Sequence, residues 1–420
     1  MTMTPPPPGS GDMGAPLRDR PVPRISIHAF CDQPETGAVI QRAAMDRRLA
    51  RAHVTVHMGG MTGAIEHFSE TPTPNLVMVE TRDRGKDVLA RLSELASVCD
   101  PTTKVIVIGA ANDITLYREL IRQGVSEYLV APLHPLQVIE AIAALYVGPE
   151  TQAVGRIYAF VGAKGGTGSS TIAHNAAWCF AERLQMATTV VDLDLPFGTA
   201  GLDFNQDPSQ GIADALGSPE RLDDVLLERL LVKCGDRLNL FAAPAVLDRD
   251  YDIDAGAFES VLEVVRHSAP AIVVDVPHVW TAWTRQLLSS ADEVIITASP
   301  DLASLRNAKN IVDLVVSGRP NDSPPRLVMN QVGVAKRPEI PVKDFAEALS
   351  LEPSLILPFD PQLFGTAANN GQMIPELNPS SRAAEGLVNL CKILTGREPV
   401  AATKAKGGSL LGFLKTRKAG

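Results

Sequence analysis

Paired cysteines, long apolar runs and any surplus of positive charge are missing from this chain. Its five cysteines (Cys31, Cys99, Cys179, Cys234 and Cys391) stand singly, without C-x-x-C or similar metal spacing. Four of them sit in apolar surroundings, where packing is the expected role, and nothing asks for an oxidising compartment. No apolar run approaches the roughly 20 residues of a spanning helix. Pro5 to Pro8 stand where a signal peptide needs an apolar core. These absences predict a cytoplasmic protein whose only available contact with the inner membrane is peripheral. A formal net charge of -9 disfavours a general nucleic-acid binder. What is present is ordinary globular material, 420 residues with 45% hydrophobic content, too long for one core and suited to two domains with tails.

Residues 1–23 are rich in Pro and Gly, lack periodic hydrophobicity and read as a disordered lead-in. From residue 24 to 147, short apolar runs at Ile25–Phe30, Val54–His57, Leu76–Val79, Val105–Ile108 and Glu127–Val130 alternate with helical stretches such as Val88–Ala96 and Ile114–Gln123. Five β/α repeats of this length predict a small doubly wound parallel sheet. A polar linker, residues 148–156, leads into a second α/β series over 157–396. Its strands are expected at Ile157–Val161, Thr189–Val191, Leu238–Phe241, Ala271–Val274, Glu293–Thr297 and Arg326–Met329, with helices including Ser170–Leu184 and Leu302–Val316. A basic tail, residues 397–420, ends the chain. In it Leu410, Leu411, Phe413 and Leu414 share one helical face between lysines, but a solvated tail is the favoured reading over a membrane anchor. The fold class is thus α/β, a small doubly wound unit followed by a larger one with a mostly parallel sheet.

The segment Ala159–Thr171 (AFVGAKGGTGSST) runs from strand through glycines to a helix start. Backbone N–H groups in such a loop, with a helix dipole behind them, form a concave site for phosphate oxygens. Gly165, Gly166 and Gly168 let the chain bend and approach a ligand closely. The loop departs from G-x-x-x-x-G-K-[ST] at Ala163 and again at Ser169, where the lysine is expected. The lysine that remains, Lys164, directly precedes Gly165-Gly166. This arrangement resembles the deviant Walker A motif of the ParA/MinD family, in which the early lysine reaches a partner subunit's nucleotide. The resemblance implies an ATP-bound homodimer with Mg2+. Phosphate is cradled by Lys164, Gly165, Gly166, Thr167, Gly168, Ser169, Ser170 and Thr171, with Lys164 acting in trans and Ser170 as the magnesium-side hydroxyl.

Two carboxylates, Asp192 and Asp194, follow the β-branched run Thr189–Val191, at the end of a parallel strand where ligands bind. Pro270–Pro277 (PAIVVDVP) has the Walker B shape, four apolar residues ending in Asp275. Magnesium held on phosphates needs few protein oxygens, so one nearby carboxylate suffices. By the same resemblance Asp194 orients the attacking water, and Asp192 and Asp275 serve the metal. Asn330 offers its amide to adenine. The resemblance also extends to Leu357–Asp360 and Gly371–Glu376 as closing segments.

Residues 24–147 resemble a response-regulator receiver, most clearly over Leu116–Leu133. Most of the parts for phosphoryl chemistry are gone. Glu80 ends the strand that should end in aspartate, Ala131 replaces the lysine, Gly109 lies where the hydroxyl residue belongs, and of the acidic cluster Asp32 remains. A docking module is expected. A degenerate receiver ahead of a K-G-G-x-G-S-S-T loop, with Leu302–Lys309 in support, resembles the CpaE/TadZ family. That resemblance implies a scaffold that recruits or positions the secretion machinery of tight-adherence (Flp) pili at a cell pole, with slow ATP hydrolysis if any. The alternative is a ParA-like DNA-partitioning ATPase or another positioning ATPase, which would need a basic surface for phosphates.

Overall fold

The computed structural model describes residues 21–83, 86–146, 154–245 and 253–397. The expected linker lies mostly outside these residues, as do the expected lead-in up to residue 20 and the tail beyond Arg397. Among these described residues, thirteen strands form two sheets. The first is built from β1 (Ser26–Cys31), β2 (His53–Met58), β3 (Leu76–Glu80), β4 (Lys104–Gly109) and β5 (Glu127–Val130), all parallel in the order β2-β1-β3-β4-β5. This is the doubly wound order of flavodoxin-like folds.

The second sheet contains β6 (Arg156–Gly162), β7 (Thr188–Asp192), β8 (Val232–Gly235), β9 (Leu238–Phe241), β10 (Ala271–Val276), β11 (Glu293–Ala298), β12 (Arg326–Val332) and β13 (Pro353–Pro358). Its order is β13-β12-β11-β6-β10-β7-β9-β8, parallel except for the edge pair β8–β9. Strands β3, β7, β10 and β11 are buried at every residue, because helices cover both faces. That is why they read as continuous apolar runs rather than alternating ones.

Two strands, β8 and β13, were not among those expected. The helix predicted over Ser170–Leu184 runs as Ser169–Trp178 and then widens into a π-type turn at Cys179–Arg183. The lead-in is also shorter than expected. Val22 is fully buried and its N–H donates to Arg48 O at 2.8 Å, so an apolar side chain and a backbone bond order the chain before residue 24.

A buried ion network joins the two sheets' units. Arg47, on the short helical turn Arg47–Leu49, pairs with Asp292 at 2.8 Å and Asp322 at 2.7 Å. Arg48 binds Asp46 at 2.7 Å and lies 3.3 Å from Asp322, while Asn321 donates to Asp46 at 3.0 Å. Asp292 is also bound by Arg266 at 2.8 Å, and it accepts from the N–H of Ile157, at the start of β6, at 2.8 Å. Burial opposes the Asp292 charge, but Arg266, Arg47 and that N–H hold its carboxyl below the usual range.

Candidate functional site

The central strand β6 ends in the glycine loop, and β10, β7 and β12 deliver their own C-terminal ends around it. Gly166 and Gly168 adopt φ of 80° and 84°, the left-handed region that favours glycine. A Cβ at Gly168 would lie 2.6 Å from Asn330 Nδ2. The loop is latched from outside: Asn330 Nδ2 donates to Thr167 O at 2.8 Å, Gln331 Nε2 to Gly166 O at 2.9 Å, and Asn307 Nδ2 to Ala163 O at 2.9 Å. Asn330 Oδ1 accepts from the Gln331 N–H at 2.9 Å, so its observed work is to hold the loop. That latch uses one of the two N–H bonds of its amide.

Ser169, in the position of the missing lysine, opens the helix Ser169–Trp178, and its buried Oγ has no hydrogen-bond partner. Lys164 is directed sideways. Its Nζ pairs with Asp301 Oδ2 at 2.6 Å, both side chains remaining partly exposed. Burial raises the Asp301 carboxyl, but the hydrogen bonds from Lys164 and the Ser304 N–H outweigh it and leave its pKa lowered. Asp301 is also the cap of the helix Leu302–Gly318, accepting from that N–H at 2.9 Å.

Asp275 and Asp192 are direct register partners on β10 and β7. Two buried carboxylates side by side favour protonation of one, and burial followed by the Asp275 charge pushes Asp192 up to about 7. Asp192 accepts from the N–H groups of Asp194 and Ala200, each at 3.1 Å. Gly198 is required here, since a Cβ would lie 2.4 Å from Asp192 Oδ2. Asp275 Oδ1 is buried with no hydrogen-bond partner, an acceptor left unspent by the protein. Asp194 is less enclosed. Its backbone and side chain close the turn to Phe197 and Gly198, and burial raises its carboxyl.

The sequence reading missed His174. It is fully buried on the loop's helix, one turn beyond Ser170 and therefore on the same face. Its Nδ1 binds Asp203 Oδ2 at 2.6 Å, and Nε2 lies 3.4 Å from Asp275 Oδ2, an ion-pair distance without hydrogen-bond alignment. Burial opposes a charged imidazole, but Asp203 and then Asp275 outweigh it and push the pKa up to about 10. His174 is thus a fixed cation behind the two carboxylates. The spacing to Ser170 was legible; partners 29 and 101 residues away were not.

The donors present suit a magnesium-bound nucleotide: a glycine loop at a helix N-terminus, hydroxyls at Ser170 and Thr171, and the unpartnered Asp275 oxygen. In the other unit, Glu80 is spent internally. Its carboxylate accepts from the N–H groups of Asp32 and Gln33, each at 2.8 Å, and from Thr36 Oγ1 at 2.7 Å.

No family model matches the chain. It is 57% identical to a crystal structure of a pilus assembly protein CpaE from Caulobacter crescentus, covering 97% of that protein and 30% of this chain, with a TM-score of 0.30. The sequence identity, not the superposition, carries that kinship. The chain is 26% identical over 279 residues to the septum site-determining protein MinD of Synechocystis, covering 99% of it and 63% of this chain. A ParA family ATPase from Chlorobium tepidum is 25% identical with a TM-score of 0.51, covering 98% of that chain and 56% of this one.

Proposed function

Because this chain belongs to the CpaE family of pilus assembly proteins and carries a ParA/MinD-type P-loop NTPase unit, we propose that it is an ATP-switched dimeric scaffold that recruits or positions pilus secretion machinery. In this reading residues 157–396 bind ATP and Mg2+ and dimerise, and residues 24–147 dock a partner. The observation that carries it is the position of positive charge. Ser169 leaves the loop without its own lysine, while Lys164 sits at the rim, held by an aspartate rather than turned inward. Charge beside the β- and γ-phosphates must then arrive from a second subunit, so nucleotide occupancy and pairing are coupled. Apolar side chains that lie close in the chain to the site residues, Phe197, Val279, Trp280 and Leu302, are all exposed. Phe197 follows Asp194, Val279 and Trp280 follow Asp275, and Leu302 follows Asp301, so the apolar surface and the site share one face.

Within the site, Asp194 orients the attacking water, Ser170, Asp192 and Asp275 serve the metal, and Asn330 latches the loop. Hydrolysis is slow, because the cation in the site is borrowed. Polar placement and any peripheral membrane contact follow from the family reading. The test pairs ATP titration with light scattering on the wild type and on Lys164→Ala. ATP should drive the wild type to a dimer and leave the variant monomeric. An alanine variant that still dimerises with ATP, or a wild type that binds none, overturns the mechanism. Fluorescent tagging beside the pilus secretion ATPase tests the recruiting role.

A further inference from the structure

Four of the chain's eight histidines fall between residues 28 and 67, and three of them meet in space. His28 lies on β1, His57 on the edge strand β2, and His67 on the helix Gly60–Phe68 that packs over them. One ligand atom from each lies within 4.8 Å of the other two. The ring centroids are 5.2 Å apart for His28 and His57, 5.7 Å for His28 and His67, and 5.1 Å for His57 and His67. Phe30 stacks on His57 at 4.6 Å, and Phe68 meets Phe30 edge-on at 5.4 Å, so the cluster has an apolar back wall.

Packing alone accounts poorly for this trio. His28 Nδ1 and His57 Nε2 are buried, and neither has a hydrogen-bond partner. Buried polar atoms left unpaired are rare and costly, and imidazoles that merely filled space would turn these nitrogens to a carbonyl or to solvent. The cluster contains no carboxylate among the described residues, which sets it apart from an oxygen-lined magnesium or calcium site. All three side chains are half-buried at a sheet edge, so an ion has a way in.

We propose that His28, His57 and His67 form a binding site for a divalent first-row transition ion, zinc above all. Neutral imidazoles suit Zn2+, Ni2+, Cu2+ and Co2+. Zn–N bonds of about 2.0–2.1 Å require nitrogens about 3.3 Å apart in a tetrahedron, which small side-chain rotations supply from the present spacing. Three protein ligands leave one position for water. The bound ion staples the helix Gly60–Phe68 to the exposed edge of the first sheet, on the unit whose phosphoryl chemistry is absent.

The test uses the full chain, stripped with chelator and kept with saturating Mg2+ and ATP so that the oxygen-lined site is filled. Titration with Co2+ should give tetrahedral visible absorption at one ion per chain, and Zn2+ should bleach it. Outer-shell changes alone weaken metal sites about 10–100-fold, so His67→Gln should weaken Co2+ and Zn2+ binding at least about 100-fold. ATP affinity should stay within about twofold in the same variant. X-ray absorption at the zinc edge, which does not depend on a variant folding, should count three imidazoles. Sulfur or carboxylate ligation, or equal zinc affinity in wild type and His67→Gln, overturns the assignment.

Discussion

Gly168 shows how little freedom the phosphate loop has. Alanine there would be forced into left-handed backbone and would press on the Asn330 amide, which is the loop's own latch. Gly168→Ala should lower ATP affinity at least about tenfold while leaving the rest of the fold intact, as read by nucleotide titration alongside circular dichroism. His174 makes a different demand. Replacing it with glutamine leaves Asp203 and Asp275 without their buried cation, and removing one partner of such a pair costs about 3 kcal/mol or more. Urea midpoints should fall accordingly, and Mg2+ with nucleotide should restore part of the loss by supplying positive charge to Asp275. A midpoint unmoved by His174→Gln would mean that the imidazole carries no charge there. Much of the site was legible as residue types in order: the glycines, Lys164, Asp192, Asp194 and Asp275. What the sequence hid was pairing across distance, because Lys164 with Asp301, Asn330 with Thr167 and His174 with two aspartates are separated by 137, 163, 29 and 101 residues.

Among the elements, β3 ends in Glu80, a side chain already engaged inside the first unit. With three hydrogen bonds already on its carboxylate, Glu80 ties the end of β3 to the loop after β1. Acetyl phosphate should therefore leave the full chain unmodified by mass spectrometry, and an aspartyl-phosphate found between residues 24 and 147 would contradict the docking assignment. The parallel order of the first sheet followed from five apolar runs spaced by helices, since parallel strands need such crossovers. In the second unit the same logic found β6, β7, β9, β10, β11 and β12. It missed β8, whose residues Val232–Gly235 pair only at an antiparallel edge and are too short to show a period. It missed β13 because Pro353 and Pro358 bound the strand and argue against one, yet an edge position tolerates them. The π-type turn at Cys179–Arg183 keeps a helical pattern of side chains, so it read as more of the same helix.

Across the molecule, the two units meet through charge rather than apolar surface alone, which makes their union sensitive to acid. Asp292 and Asp46 both have carboxyls held below their usual range, Asp292 by Arg266 and Arg47 and Asp46 by Arg48 and Asn321, each against the opposing effect of burial. A depressed carboxyl contributes stability above its unfolded value, about 4, and that stability is lost as pH falls through the lower folded value. Acid unfolding should therefore begin at a higher pH in Arg47→Ala than in the wild type. At neutral pH the variant should be about 3 kcal/mol less stable by denaturant titration, Arg266 still covering part of the Asp292 charge. The same aspartate also holds the second amide of β6, the strand that leads into the phosphate loop. The Ile157 amide proton is therefore a natural reporter. Its exchange with deuterium registers in one signal whether the two units are seated, and a partner that pries them apart would loosen the strand beneath the nucleotide before touching the nucleotide itself.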